Sequence, residues 1–443
     1  MNDQSVLTRS PFDTPETLVP GKQAWLSALH ARASDRAAIL NRPTPRDEEW
    51  RFTDLSPFAQ TTFVPAPGTP SRQLVPADIT GFTVEEAQTR LVFVDGIYAP
   101  ALSVQQDDKS IVITDMQGAR AQHAHTIEAH LGHHASIDSA YFAAQNTASI
   151  ENAAVVIVAR DSAITAPVHL LFIATQKDVR SFPRCLVVAE AGSSVTVIED
   201  YVVMNQPGGQ EEAHLATHFT NTVTEIVLAD SARVDHIRLQ REGTRGLHIG
   251  LCAVSLGRAS HYNSVSIAMG ARMSRLNLEV VHHGEGATCT LDGLALIGSR
   301  QLADTHTLVD HAKAHGNSVQ LHKCIVADSA HAVFNGKVIV RTGAQKIDAR
   351  QSNRNLLLSA KAHVDTKPQL EIFASDVKCT HGATVGQLDA DEVFYLQSRG
   401  LSEAAARNLL TYAFGAEIIE RIPIASVKRQ LVQKVLEQTT GTR

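Results

Sequence analysis

Cys379 and His381 stand two residues apart in the stretch Ser375-Asp-Val-Lys-Cys-Thr-His-Gly-Ala-Thr-Val-Gly-Gln-Leu-Asp389. Val377, Thr380, Thr384 and Val385 favour an extended chain. The two-residue period of a strand then puts both side chains on one face. A thiolate beside an imidazole is a soft N/S donor pair suited to iron or zinc. Two donors do not complete a site, so spacing alone favours the plainer reading, a buried cysteine beside a satisfied histidine in a sheet.

Other groups with chemical potential are weaker. Asp304, His306 and Asp310 in Asp304-Thr-His-Thr-Leu-Val-Asp-His311 would share one strand face and suit a metal. Turn residues break the strand nearby, which favours a polar ladder on the outside of a sheet. Asn353, Arg354 and Asn355 read as stacked ladder residues, since buried amides and guanidinium groups need hydrogen-bond partners. His123, His125, His130, His133 and His134 crowd one polar region, but no carboxylate or cysteine completes a known ligand spacing there. The five cysteines are scattered, odd in number and free of any Cys-x-x-Cys pair. That argues against a disulfide framework, a zinc knuckle and an autonomous ferredoxin-type site. Cys185, Cys252, Cys289 and Cys324 read as small buried hydrophobes. No P-loop and no Gly-x-Ser-x-Gly elbow occurs, so neither P-loop ATP hydrolysis nor nucleophile-elbow catalysis is expected of the chain itself.

Composition narrows the class. The formal net charge is −6, aromatic residues make up 5% and no run of five basic residues occurs. These features disfavour a polyanion partner or a base-stacking surface. No stretch of about eighteen apolar residues suggests a transmembrane helix. The first ten residues lack the basic-then-apolar build of a signal peptide, so a cytoplasmic protein is expected. A chain of 443 residues exceeds one ordinary compact core. It calls for several domains or a solenoid.

Residues 1 to about 20 read as loose. Gly21 to Leu40 carries Trp25, Leu26, Leu29 and Ala33 at helical spacing, and Asn41-Arg-Pro-Thr-Pro45 ends the helix. In Pro45-Arg-Asp-Glu-Glu-Trp-Arg-Phe-Thr-Asp-Leu55, Trp50 and Phe52 are expected to pack on the body of the protein. Thr61 to Ala77 reads as a linker. Arg90 to Tyr98 reads as a hairpin turning at Asp95-Gly96. Ile127–Leu131 and Ser139–Asn146 have helical spacing. From about Ile150, short β-rich runs alternate with small-residue punctuation: Ala191-Gly-Ser-Ser, Ala229-Asp-Ser-Ala, Gly257-Arg-Ala-Ser, Gly284-Glu-Gly-Ala, Ala327-Asp-Ser-Ala, Arg341-Thr-Gly-Ala, Leu358-Ser-Ala-Lys and His381-Gly-Ala-Thr. That recurrence is the mark of a β-solenoid. From Asp389 three helices are expected, the second with Ser402 as N-cap and Gly415 near its end, the third over Pro423–Gln438. The apolar face of Leu409, Leu410, Ala413, Phe414, Ile418 and Ile419 would cap the solenoid end or dock a partner.

Six blocks then occur in order: Phe334-Asn-Gly-Lys337, Gln345-Lys-Ile-Asp-Ala349, Gln351-Ser-Asn-Arg-Asn-Leu-Leu-Leu-Ser359, Thr366-Lys-Pro-Gln-Leu-Glu-Ile372, Asp376 to Gln387, and Phe394-Tyr-Leu-Gln-Ser-Arg-Gly400. The run resembles the SufB/SufD family of iron–sulfur cluster assembly proteins. The Gly-Ala-Thr-Val-Gly-Gln wording, the Pro45–Leu55 segment and the length are similar to the SufD branch.

The resemblance implies a mainly β fold with a right-handed parallel β-helix core. The changes of sequence texture at about Ile150 and Asp389 divide the chain into an N-terminal mixed region (1–149), the β-helix (150–388) and a C-terminal helical region (389–443). The resemblance further implies the roles of these parts. It implies a scaffold rather than an enzyme, a SufB-like chain paired at the Cys379 end, and a SufC-like ABC ATPase docked on the C-terminal helices. His381, with Cys379 supporting, would then face a SufB cysteine and share a transient iron or iron–sulfur cluster, with no cofactor tightly held by the isolated chain. Nucleotide-driven dimerisation of the ATPase would move the two scaffold chains. A SufB-type scaffold holding a cluster alone is disfavoured by the sparse cysteines and the Gly-Ala-Thr-Val-Gly-Gln wording. A β-helix polysaccharide lyase or hydrolase needs clustered carboxylates in a groove, and here they are dispersed. Solenoid edges invite self-pairing, which leaves a homodimer open as one state of the chain when SufB is absent.

Overall fold

The computed structural model describes residues 24–66, 74–204 and 217–440. The chain is mainly β, with 42% strand and a β-solenoid of about 8 turns between an N-terminal α/β region and C-terminal helices. Successive strands alternate between two sheets whose solenoid strands all run parallel. One sheet ends with Met273–His282, Leu302–His311, His331–Val340 and His363–Ile372 side by side. The other ends with Thr288–Ile297, Asn317–Val326, Ile347–Leu357 and Val377–Gly386. Met273, Leu302, His331 and His363 stack in register, 29, 29 and 32 residues apart, which sets the length of a turn. One face of each strand points between the sheets, where Cys252, Val254, Leu278, Val280, Leu291 and Val309 share a core. No turn could bury that face without its neighbours, which is why the pattern must recur.

The punctuation falls at corners of the solenoid. Gly192, Ser231, Ala259, Gly286 and Asp328 each have φ between 51° and 70°, the left-handed region in which small or turn-forming side chains are least strained. At Gly284 a Cβ would lie 2.0 Å from the Arg258 backbone nitrogen, so adjacent corners stack too closely for any side chain there. His381-Gly-Ala-Thr is the exception. It lies inside the strand Val377–Gly386, where parallel pairing with Ile347–Leu356 holds it extended.

Residues 1–20, expected to be loose, fall outside the described residues, as do 67–73 of the expected linker. Within that linker, Val64–Pro65 pairs with Val179–Arg180. The helix Ala24–Ile39 buries Leu29 and Ala33. The hairpin forms as expected, with Asp95 at φ 50° and Gly96 at φ 87°. Its first strand, Thr89–Val94, also pairs in parallel with Val168–Ala174, while Ile111–Asp115 pairs antiparallel with Ala154–Val158. Both sheets therefore begin ahead of residue 150.

The C-terminal helices are Ala390–Ser398, Glu403–Ile419 and Ala425–Thr440. Asp389 caps the first by accepting from the Asp391 N–H, and Ser402 caps the second by accepting from Ala405. Gly415 lies near the end of the second helix, as expected, four residues before its last residue. A Cβ there would sit 3.3 Å from Ile325 Cδ1, so the glycine lets the helix approach the sheet. Ile418, Ile419, Ile422, Val427, Leu431 and Val435 pack on Ile237, Leu239, Ile267, Leu294 and Ile325, the outer flank of the second sheet. Leu409 and Ala413 remain exposed. The helices thus cover a flank and do not close the solenoid end. Among the described residues, His363–Ile372 and Val377–Gly386 each have one strand neighbour and an unpaired edge. Among the described residues no helix is long and apolar enough to cross a membrane.

Candidate functional site

Val377–Gly386 carries Cys379 and His381 on one face, as strand periodicity requires. Cys379 pairs in register with Ala349 and His381 with Gln351. Cys379 packs beside Val338, Val340, Ile347 and Ala349, so this face looks into the space between the sheets. It is half-buried, while His381 is exposed because no further turn covers it. Partial burial and the Asp348 carboxylate push the Cys379 thiol above its ordinary value, against a backbone hydrogen bond with Ala349. Such a thiol stays protonated until a metal displaces the proton. One turn below His381, Gln351 is 4% exposed and neither atom of its amide finds a hydrogen-bond partner among the described residues. A buried, unpartnered amide calls for a water or ligand. Nothing in the local sequence separates Gln351 from a ladder residue; only the register reveals its place. Around this end, Phe373 is 61% exposed and Val385 50%.

No third Cys, His, Asp or Glu joins Cys379 and His381 among the described residues. Each of the other four cysteines is buried, and burial raises its thiol, that of Cys324 to about 12. None is poised as a nucleophile.

The Asp304 group forms the expected polar ladder, with an addition. Asp304 accepts from Arg275 at 2.6 Å, lies 3.0 Å from His306 Nε2 and also accepts from Thr53. The segment bearing Trp50 and Phe52 packs across it beside Leu302 and Val333, so this outer ladder is buried. Asp310 pairs instead with Arg341 at 2.6 Å. Asn353 donates to the His322 carbonyl, and Asn355 donates to Asn353 and to the Thr384 carbonyl. Arg354 points outward, 3.5 Å from Glu417. In the histidine cluster His130 and His134 lie 3.3 Å apart, and burial lowers both to about 4, so they are neutral at pH 7. Sequence reasoning missed Glu225, which accepts from Arg184 at 2.5 Å and from the N–H groups of Gly132, His134 and Ala135. It also missed a polar set in the solenoid, where Glu242 meets His248 at 2.6 Å and Thr220 at 2.6 Å. These pairings join residues far apart in sequence, or depend on how turns stack.

Fold and side chains together describe a β-solenoid protein that carries a cysteine and a histidine on one face of its last described strand. Residues 172–414 match the SufBD core domain of the SUF system for FeS cluster assembly, and residues 13–170 match the SufBD protein N-terminal region. A SufBD family iron–sulfur cluster assembly protein of Synechocystis is 40% identical over 406 residues, covering 91% of this chain and 89% of the relative. The iron–sulfur cluster assembly protein SufD of Escherichia coli is 33% identical over 407 residues, 90% of each chain, and SufD of Bacillus subtilis is 28% identical over 434 residues, 93% of each. The chain belongs to the SufBD family, and its role lies in iron–sulfur cluster assembly.

Proposed function

We propose that this chain is a non-enzymatic scaffold subunit that pairs its open solenoid end with a SufB-like chain and holds a nascent cluster between them. The observation that carries this reading is a thiol and an imidazole side by side on a bare terminal strand, with no third donor among the described residues. A half set of ligands makes chemical sense where a second chain supplies the rest. The iron or iron–sulfur cluster is cargo. His381 offers a ring nitrogen, Cys379 offers sulfur once its proton leaves, and Gln351 stands one turn below. The unpaired strand edges and the apolar Phe373 and Val385 suit pairing with a second sheet end. The name SufD borne by relatives supports a place in a SufB–SufC–SufD complex. A SufC-like ABC ATPase would dock on the C-terminal helices, where Leu409, Phe394 and Tyr395 are exposed. Its nucleotide-driven dimerisation would move the scaffold chains and open the shared site. Five free cysteines suit a reducing compartment such as the cytoplasm.

The test is anaerobic co-purification of the tagged chain from its native host, with partner identification. Recovery of a SufB-like chain and an ABC-type ATPase is expected. A lone, metal-free homodimer would overturn the proposal and leave the fold standing.

A further inference from the structure

His331 and His363 face each other in register on neighbouring strands at the end of the first sheet, with ring centroids 4.9 Å apart. Asp365 lies two residues beyond His363, on the same face. His331 Nε2 is 2.7 Å and His363 Nε2 3.2 Å from one oxygen, Asp365 Oδ2. One donor atom from each residue lies within 4.8 Å of the other two, the one such triple of His, Cys, Asp or Glu among the described residues. The side chains are 28%, 64% and 25% exposed for His331, His363 and Asp365, open enough for an ion to enter.

We infer that these three residues form a mononuclear site for a divalent first-row transition ion. Two imidazoles and one carboxylate are a facial donor set that suits Fe²⁺ or Zn²⁺ and leaves positions open for water or another ligand. A tetrahedral ion with bonds of about 2.0–2.2 Å holds its donors roughly 3.3–3.6 Å apart. The observed contacts need to open by less than about 1 Å to admit it. Without an ion, the two imidazoles share a single carboxylate oxygen. With one, each imidazole supplies a deprotonated ring nitrogen and the carboxylate a charge. The backbone holds the positions, because the His331 N–H donates to the Gln301 carbonyl at 2.9 Å and the His363 N–H to Ala330 at 3.0 Å. Registry across two strands makes the donors pre-organised. The site is separate from Cys379 and His381. Its column stacks on Leu302 and Val333, which pack with the Trp50 segment on the outer face of the first sheet, whereas Cys379 looks between the sheets. It does not depend on the partner reading above.

The experiment is an anaerobic equilibrium titration of the full chain with Fe²⁺, repeated with Zn²⁺. The variants are His363→Ala, the near-isosteric Asp365→Asn, and the double variant Cys379→Ser with His381→Ala. Native protein and the double variant are expected to share one site that His363→Ala removes and Asp365→Asn weakens at least tenfold. Co²⁺ loaded at that site should give a visible ligand-field spectrum without a thiolate charge-transfer band. Unchanged melting curves for the metal-free variants would establish that they fold. Absence of binding to native protein, or binding that survives both His363→Ala and Asp365→Asn, would overturn the inference. Loss of the site in the Cys379/His381 variant alone would assign the ion to the solenoid interior instead.

Discussion

Arg275 ties the N-terminal segment to the solenoid. Its guanidinium lies 3.9 Å from the Trp50 ring centroid and donates to the Glu49 carbonyl, Thr53 and Asp304. Burial pushes the Asp304 carboxyl up, but Arg275 and His306 outweigh it and hold the group well below the usual carboxylate range. Removing one partner strands a buried charge, so Arg275→Met is expected to cost about 3–5 kcal/mol in denaturant unfolding. A change under about 1 kcal/mol would refute the clamp. For His306 burial lowers the imidazole, yet Asp304 and Glu49 raise it further, for a net increase. Its stabilisation is full below about pH 6.5 and fades as pH rises through the raised folded value, whereas that of Asp304 is present above about pH 4 and fades as pH falls. The stability gap between native protein and His306→Asn should therefore shrink as pH rises above about 6.5. A gap that grows there would contradict the assignment. At this scale the sequence exposes pairs on one strand, such as Cys379 with His381 or Asp304 with His306. It hides Gln351 beneath His381, and His331 beside His363 and Asp365, because those meetings depend on turns of 29 to 32 residues stacking in register.

The helix Glu403–Ile419 illustrates what an element's own pattern leaves open. Its cap at Ser402 and its apolar residues are legible, but not the surface they meet. A run of isoleucines serves a sheet flank as well as a solenoid end, and only the three-dimensional path chooses the flank. Gly415, near the helix end as its sequence position indicates, is also a contact point, 3.3 Å from Ile325 once a Cβ is placed on it. Gly415→Leu should overpack this seam and cost about 1–3 kcal/mol in thermal or denaturant unfolding, while Leu409→Ala, at an exposed position, should stay within about 0.5 kcal/mol. Equal costs would show that the helix does not press on the sheet there. Removal of everything after Gly386 would uncover Ile237, Leu239, Ile267, Leu294 and Ile325. The truncated chain is therefore expected to melt lower and aggregate, rather than persist as an intact solenoid. The strands were legible as recurring β-rich runs. Their sorting into two sheets, and the recruitment of Thr89–Val94 and Ile111–Asp115, were not, because short apolar strands carry no mark of which sheet they join.

Among the described residues, both sheets stop together at one end, and no further strand pairs with the last strand of either. A solenoid so left presents two edges and the interior between them, and natural proteins seldom leave such an edge without a use. Phe373→Asp combined with Val385→Asp should abolish capture of the SufB-like chain while leaving the melting temperature within a few degrees of native, since both residues are exposed. Retained capture would move the pairing surface elsewhere. Whether a cluster site is divided between two chains is read from iron and acid-labile sulfide in the anaerobically purified complex, native against His381→Ala. Equal partner recovery from both is expected, with iron and sulfide strongly depleted in the variant. Equal iron and sulfide in the two complexes would contradict a divided site.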